Sequence, residues 1–300
     1  MKTKTNRTRF TILLTAFLIL LATAALGRAA EPAAPQTPTL GTTTRVSVAS
    51  DGTEGNDVSS APSISVDGRY VAFHSETSNL VSGDTNECAD IFLHDTQTGQ
   101  TTRVSVASDG TEGNDNLSNP SISANGRYVA FWSQASNLVS GDTNNEYDVF
   151  VHDTQTGQTT RVSVASGGAQ GDDLSSGASI SADGRYVAFQ SYASNLVSGD
   201  NNGTSDVFVH DTQTGQTIRV SVASDGMEGN DGSGDISISA SGRYLAFASE
   251  ASNLVSGDNG KIDIFRHDRG PELVPTLTLN HLTGAPGSYF TLTGSGFNTN

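Results

Sequence analysis

A stretch of 58 residues that occurs four times constrains the fold of this chain more than any other feature. The tripeptide Gly-Arg-Tyr recurs at this spacing, starting at Gly68, Gly126, Gly184 and Gly242. An arginine that opens a Val-Ser-Val run recurs in the same way, at Arg45, Arg103, Arg161 and Arg219. A fixed period of this length is typical of repeats that cannot bury their apolar faces alone and must stack on one another.

Each repeat contains four strand-like segments, which the second repeat illustrates. Ser121–Ser123 alternates (strand a), and Asn125-Gly126 is a tight-turn signal that leads into Arg127–Trp132 (strand b). Strand b and Asp148–His152 (strand c) are apolar on both faces, as in a strand between two layers. Thr160–Ala165 (strand d) alternates like a half-exposed outer strand. Four short antiparallel strands, two of them buried on both faces, are typical of a β-propeller blade.

The two ends of the repeat region, residues 42–270, predict how the array is completed. It opens with a lone d-type strand, Thr44–Ala49, and it ends with a c-type strand, Asp263–Asp268, that no d strand follows. Propellers close their ring by pairing the two chain ends in one blade. We therefore expect an all-β propeller of four blades of four antiparallel strands, closed by the N-terminal strand. A fragment of a larger ring is the alternative.

The repeats resemble a known family. Residues 179–189, SISADGRYVAF, and Asp206–Asp211 are similar to the WD40-like repeats of TolB-type β-propellers. The resemblance recurs in every unit and extends over the whole repeat region. Propellers of this type occur in periplasmic interaction proteins, as accessory domains of peptidases and in large exported proteins. The resemblance implies the fold, and it leaves the ligand open because a fold does not fix a function.

The flanking segments indicate export and a further domain. Residues 1–29 combine basic residues, an apolar run and small residues, as a cleaved signal peptide does, with an uncleaved anchor as the alternative. Residues 30–41 are proline-rich and are interpreted as a linker. Residues 271–300 resemble the start of an IPT/TIG immunoglobulin-like domain. Such a sandwich needs about 100 residues, so we expect this domain to be incomplete here and the natural protein to continue.

Charge and motifs exclude several classes of function. The net charge is −16, and removing residues 1–29 leaves 11 basic against 32 acidic residues, a net charge of −21. Nucleic acid and anionic lipid would repel such a chain. Cys88 is the only cysteine, and no hydrolase, zinc-protease or P-loop motif is found. One histidine per repeat could form a ring of imidazoles, but a buried structural histidine explains a fourfold recurrence better. We expect no enzyme activity.

Loops between strands b and c are the candidate metal sites. In three repeats they place oxygen-bearing side chains at positions 1, 3 and 7, as at the start of a calcium loop. These residues are Asp84, Asn86 and Asp90, Asp142, Asn144 and Asp148, and Asp200, Asn202 and Asp206. Asx turns that cap their own backbone are the alternative. The fourth loop is one residue shorter and contains Lys261, so no ion is expected there.

Acidic residues also fill the d–a loops, which emerge on the same side of an up-and-down blade as the b–c loops. One face should therefore be strongly negative, and it could bind calcium or a cationic partner. Together these features predict an exported, non-enzymatic propeller that serves as an interaction module of a larger secreted, periplasmic or cell-surface protein. Its partner would be a protein or a cell-envelope component. The alternative is an accessory propeller of a hydrolase or peptidase whose catalytic domain lies beyond residue 300.

Overall fold

The computed structural model describes residues 41–271 and two further strands, 276–279 and 292–295. The predicted signal peptide, residues 1–29, and all of the linker except Gly41 lie outside the described residues. Within the described part, no helix has the length and hydropathy that a membrane span requires. The elements of residues 45–271 are β-strands, which form four antiparallel sheets in chain order, one per repeat.

These sheets resemble propeller blades and are called blades 1 to 4. Blade 1 contains β1 (Ser59–Ile64), β2 (Tyr70–Ser75), β3 (Asp90–Asp95) and β4 (Gln100–Arg103). Blade 2 contains β5 (Leu117–Ile122), β6 (Tyr128–Ser133), β7 (Asp148–Asp153) and β8 (Gln158–Arg161). Blade 3 contains β9 (Ser175–Ile180), β10 (Tyr186–Ser191), β11 (Asp206–Asp211) and β12 (Gln216–Arg219). Blade 4 contains β13 (Ser233–Ile238), β14 (Tyr244–Ser249) and β15 (Asp263–Asp268).

The second and third strands of each blade form its core, as their apolar pattern predicts. In blade 2, Phe131 of β6 faces Phe150 of β7 in register, and both side chains are fully buried. Their rings stack with centroids 5.9 Å apart, a distance at which aromatic pairs attract. The same pair recurs in the other three blades. Strands with two apolar faces therefore lie inside the array.

The outer strand is shorter and earlier in the chain than the sequence predicts. In blade 2 it is β8, Gln158–Arg161, whereas Thr160–Ala165 was the predicted segment. Beyond Arg161 the chain leaves the sheet, because Ser163 is fully buried and donates a hydrogen bond to Asp148 (2.5 Å). Val162–Ser166 then crosses to blade 3, where Thr217 Oγ1 donates to the Val164 carbonyl. We call Val46–Ser50, Val104–Ser108 and Val162–Ser166 the crossing segments.

Neighbouring blades stack through the turn that contains the Gly-Arg-Tyr motif. Gly126 has a positive φ of 76°, and a Cβ added there would overlap the ring of Tyr70 in the preceding blade. Gly184 and Gly242 meet the tyrosine of their own preceding blade in the same way. A backbone hydrogen bond joins the Val66 N–H to the Ala124 carbonyl (3.0 Å), and the same bond recurs between later blades. In blades 2 to 4, glycine is therefore required at this turn by both conformation and space.

The predicted closing pair is not formed by the described residues. Blade 4 has three strands, and Thr44–Ala49 does not pair with β15. Instead Val46 packs against the core of blade 1, and Ser50 exchanges hydrogen bonds with Thr101. This segment matches the crossing segments that enter blades 2 and 3, so its contacts are already made with blade 1. Ile264 of β15 consequently remains 75% exposed.

The segment that resembles an immunoglobulin-like domain is described only in part. Thr276–Leu279 (β16) pairs antiparallel with Leu292–Ser295 (β17), with Thr276 opposite Ser295. The other residues of 272–300 lie outside the described residues. The immunoglobulin-like domain thus remains a prediction.

Candidate acidic clusters and inter-blade clefts

An arginine lies at the centre of each predicted calcium loop. In blade 3, Arg219 Nη1 lies 3.3 Å from Asp200, 3.1 Å from Asp206 and 2.5 Å from Glu228. Arg103 in blade 1 makes the same three contacts with Asp84, Asp90 and Glu112. Each arginine ends the outer strand, so the register of that strand delivers its guanidinium to the loop. A single guanidinium charge thus forms ion pairs with two or three carboxylates in each cluster.

Blade 2 contains a milder version of this cluster. Arg161 contacts Asp142 (3.3 Å) and Asp148 (3.0 Å), but the position of Glu112 and Glu228 is taken by Gln170. The amide of Gln170 donates to Asp142 at 3.1 Å. Because glutamine is neutral, blade 2 has one negative charge fewer than blades 1 and 3.

The aspartate that opens strand c is the most buried member of each cluster. Asp206 is fully buried; it accepts a hydrogen bond from Ser221 (2.5 Å), and its second oxygen faces Arg219. Burial raises the pKa of Asp206, and the hydrogen bond and Arg219 oppose that rise. Burial, followed by repulsion from Asp206, also raises the pKa of Asp200 to about 6. The blade 3 cluster thus disfavours the charged forms of Asp200 and Asp206, whereas the pKa of Glu228 is lowered, because backbone hydrogen bonds from residues 201 and 202 and the charge of Arg219 outweigh its burial.

The predicted asparagine ligands face the clusters with their amide N–H groups. Asn202 donates to Asp206 (3.0 Å) and to the Gly229 carbonyl (2.9 Å), and its Oδ1 accepts from the Thr204 N–H (2.9 Å). Asn86 and Asn144 make the same contacts in blades 1 and 2. Their oxygens are therefore engaged in Asx turns. In this arrangement the asparagines cap their loops, and their role as ligands stays a prediction.

Blade 3 nevertheless contains a possible metal-binding cluster. One carboxylate oxygen from each of Asp200, Asp206 and Glu228 lies within 4.8 Å of the other two. Glu228, on the d–a loop, was not among the predicted ligands, although an acidic d–a loop on the same side was expected. Calcium needs six to eight oxygen ligands at about 2.3–2.6 Å. A cation could bind here only if Arg219 moved out from between the carboxylates.

The recurrent histidines and arginines are structural. His94, His152 and His210 are buried, and each Nδ1 lies 2.8–2.9 Å from a threonine hydroxyl on the outer strand. Burial lowers the pKa of each of these histidines. Arg127 forms a bidentate pair with Asp153 (2.9 and 2.7 Å). It also stacks over the Tyr128 ring, 4.9 Å from the centroid.

Within the described residues, a serine–histidine contact occurs in the first repeat alone. Ser60 Oγ lies 3.2 Å from His74 Nδ1, whereas the residues opposite each other at these positions are Ser118 and Trp132 in blade 2. Among the described residues, no carboxylate hydrogen-bonds the second ring nitrogen of His74. A serine nucleophile normally needs both a base and a group that orients that base. This pair therefore lacks the third member.

Two clefts open between blades on the side of the acidic loops. The first cleft, between blades 1 and 2, has a volume of about 610 Å³. Its lining includes Asp57, His74, Glu76, Glu87, Trp132 and Tyr147. The second cleft, between blades 3 and 4, has a volume of about 440 Å³. Its lining includes Gln190, Tyr192, Asp231, Asp235, Ala248 and Glu250.

Comparison with known proteins gives a distant structural similarity. No family model matches the chain, and no curated protein matches it. Among solved structures, TolB from Acinetobacter baumannii is 18% identical with a TM-score of 0.43, over 79% of this chain and 51% of TolB. A prolyl endopeptidase is 15% identical with a TM-score of 0.46, over 74% of this chain and 31% of that one. The tricorn protease is 16% identical with a TM-score of 0.40, over 66% of this chain and 16% of that one. The chain thus spans about half the length of TolB and less of the two proteases. The likeness is one of fold.

Proposed function

We propose that this protein is an exported, non-enzymatic propeller that acts as a binding module of a larger secreted or surface protein. The observation that carries this proposal is where the four repeats differ from one another. Repeats that share one fold need the same residues at the positions that stabilise it. Positions that do not stabilise the fold can differ between repeats and can contact a ligand. A binding surface should therefore appear where the repeats diverge.

The residues that recur in the repeats have structural partners. The arginine of the Gly-Arg-Tyr motif pairs with the aspartate that ends strand c, and the outer-strand threonine binds the buried histidine. The turn between strands c and d is identical in three repeats, Asp-Thr-Gln-Thr-Gly-Gln, and its aspartate caps the turn. The c–d turns of these three repeats thus offer no variation for recognition.

Variation gathers at the two clefts. The fifth residue of strand b is His74 in blade 1, Trp132 in blade 2, Gln190 in blade 3 and Ala248 in blade 4. The first two line the first cleft and the last two line the second. The position two residues further along has three residue types in the four repeats, and Glu76, Tyr192 and Glu250 line the clefts as well. We infer that the clefts are the ligand-binding surface.

The binding proposal is tested by comparing variants on the two sides of the blades. Tyr192→Ala alters the second cleft, and Gln155→Ala alters the invariant c–d turn of blade 2. In a thermal-shift panel of sugars, peptides, amines and anions, we expect at least one ligand class to raise the Tm of the unmodified chain. That shift should shrink in Tyr192→Ala or Trp132→Phe and persist in Gln155→Ala. Equal loss in all three variants would contradict a cleft site.

The absence of catalysis is tested at the serine–histidine pair. We expect no ester or peptide hydrolysis that depends on Ser60, because the orienting group is missing. Turnover by the purified chain that Ser60→Ala abolishes would overturn the non-enzymatic assignment.

The alternative function, an accessory propeller of a hydrolase, is decided by the sequence that follows residue 300, where a catalytic domain would support it and further immunoglobulin-like repeats would oppose it.

Calcium is proposed only for the blade 3 cluster, as a stabilising ion. It would need Arg219 to move outward, and it would then remove the repulsion between Asp200, Asp206 and Glu228. A ligand that binds the folded state alone stabilises it by about 2.7 kcal/mol at a hundredfold excess over its dissociation constant. The expected result is a higher Tm in calcium than in EDTA, with magnesium at equal ionic strength as the control. The gain should be smaller for Asp206→Asn. Equal Tm values in the three solutions would contradict calcium binding.

A further inference from the structure

We propose that the first cleft binds an alkylammonium group, such as a lysine side chain of a partner or a free polyamine. This inference rests on the proposed binding function and assigns it a chemical class of ligand. It follows from three properties of the lining residues: their charge, their aromatic rings and their unmet hydrogen bonding.

The charge of the first cleft is uniformly negative. Asp57, Glu76 and Glu87 line it and are exposed, and no lysine or arginine is among the described residues of its lining. Burial lowers the pKa of His74, the remaining titratable base, which favours its neutral form. Unlike the clusters around Arg103, Arg161 and Arg219, this cleft contains no internal cation. Three carboxylates around one cavity favour a cationic ligand and reject an anionic one.

Aromatic rings form one wall of the same cleft. Trp132 and Tyr147 meet edge to face, with centroids 4.9 Å apart and an interplanar angle of 78°. A perpendicular pair of this kind offers a corner to a ligand, and a cation over an aromatic face is stabilised by the ring, most strongly over tryptophan. Carboxylates beside an aromatic corner are the combination that recognises ammonium groups on a hydrocarbon chain.

Trp132 also has an unsatisfied hydrogen-bond donor. Its buried Nε1–H has no acceptor among the described residues. Buried donors without partners are rare, and each one calls for an explanation. Because this nitrogen is itself shielded from solvent, an acceptor on the ligand, such as a peptide carbonyl next to a lysine side chain, would reach it only if the indole ring turned toward the cleft. If that turn accompanies binding, a blocked lysine should bind more tightly than a simple amine of the same length.

Ligand binding to the first cleft can be measured by the fluorescence of Trp132. Trp132 is the only tryptophan of the chain, so its fluorescence reports the first cleft alone. The purified full chain would be titrated with N-acetyl-lysine methylamide, with spermidine and with pentylamine. N-acetyl-norleucine methylamide, N-acetyl-glutamate methylamide and sodium chloride at equal ionic strength are the controls. We expect saturable changes with the three amines, tightest for blocked lysine if the partner is a peptide and for spermidine if it is a polyamine.

Variants locate the site. Glu76→Gln and Glu87→Gln should each raise the dissociation constant about 1.4- to fivefold, since exposed ion pairs are worth about 0.2–1 kcal/mol. Trp132→Phe, followed by calorimetry because the fluorophore is lost, should raise it by a similar factor. Glu250→Gln in the second cleft is the matched control, and it should leave the Trp132 titration unchanged. Circular dichroism and the Tm of each variant show whether it has folded.

The possible failures are distinguishable from failure of the proposed function. If sodium chloride reproduces the amine-induced change, or if Glu76→Gln, Glu87→Gln and Glu250→Gln behave alike, the ammonium site is refuted. If a neutral sugar or an anion saturates the Trp132 signal and the amines do not, the ligand class is wrong and the binding function stands. Turnover that Ser60→Ala abolishes would overturn the binding function itself.

Discussion

The glycine of the Gly-Arg-Tyr turn provides a direct test of how the blades stack. Gly68 and Gly126 occupy the same turn in successive repeats, with φ angles of 74° and 76°. A Cβ at Gly126 would overlap the ring of Tyr70, whereas a Cβ at Gly68 has no neighbouring atom within 4 Å. Gly68→Ala and Gly126→Ala therefore share the conformational cost and differ in the contact between blades.

The expected magnitudes follow from these two contributions. Alanine in the left-handed region costs about 1–2 kcal/mol, and both variants incur this cost. Overlap with a packed ring adds about 1–3 kcal/mol in Gly126→Ala alone. Since 1 kcal/mol shifts the Tm by about 2–4 °C in a domain of this size, Gly126→Ala should melt about 2–12 °C below Gly68→Ala. The measurement is thermal and urea unfolding followed by far-ultraviolet circular dichroism.

A coupled variant identifies the source of the difference. In a Tyr70→Ala background the overlap disappears, so the additional cost of Gly126→Ala should vanish while the cost of Gly68→Ala stays the same. Equal, small costs for both glycine variants would refute the stacking contact. Equal, large costs would mean that Tyr244 covers Gly68, so that blade 4 packs on blade 1 and the ring is closed in solution.

Three further predictions concern the acidic cluster and the exposed strand. The pKa of Asp200 is raised to about 6, so the stability that this residue contributes is present at low pH and is lost as the pH rises from about 4 to about 6. Asp200→Asn should reduce this loss, which is measured as the difference in Tm between about pH 4 and pH 7. An unchanged Tm difference would contradict the raised pKa. Arg219→Gln removes the cation from between three carboxylates, so calcium should raise the Tm of this variant more than that of the unmodified chain. An equal or smaller rise in Tm would show that the cluster does not bind calcium. Ile264→Lys should leave the Tm nearly unchanged and reduce concentration-dependent association, measured by light scattering, because Ile264 is 75% exposed on an edge strand. The control is Ile91→Lys, at the equivalent but fully buried position of blade 1, which should unfold the chain. A large loss of Tm in Ile264→Lys would show that β15 is covered.

The sequence by itself determined the repeat and the inner strands of each blade. A period of 58 residues predicts stacked units, and apolar residues on both faces of strands b and c predict their burial, which the fully buried Phe131 and Phe150 confirm. These features are local or periodic. They depend on side-chain alternation along one strand, and the printed sequence displays that alternation directly.

Contacts between distant residues were decided by the tertiary structure. Arg219, at the end of strand d, and Glu228, in the d–a loop, both contact the predicted calcium loop. The spacing of residues within the b–c loop does not predict these contacts. The alternation of Thr160–Ala165 indicated a strand, but burial of Ser163 against Asp148 takes the chain out of the sheet. Val46 packs on blade 1 and not on blade 4 because the crossing segments are placed by inter-blade packing. The clefts likewise exist only where two blades meet, so neither repeat alone reveals them.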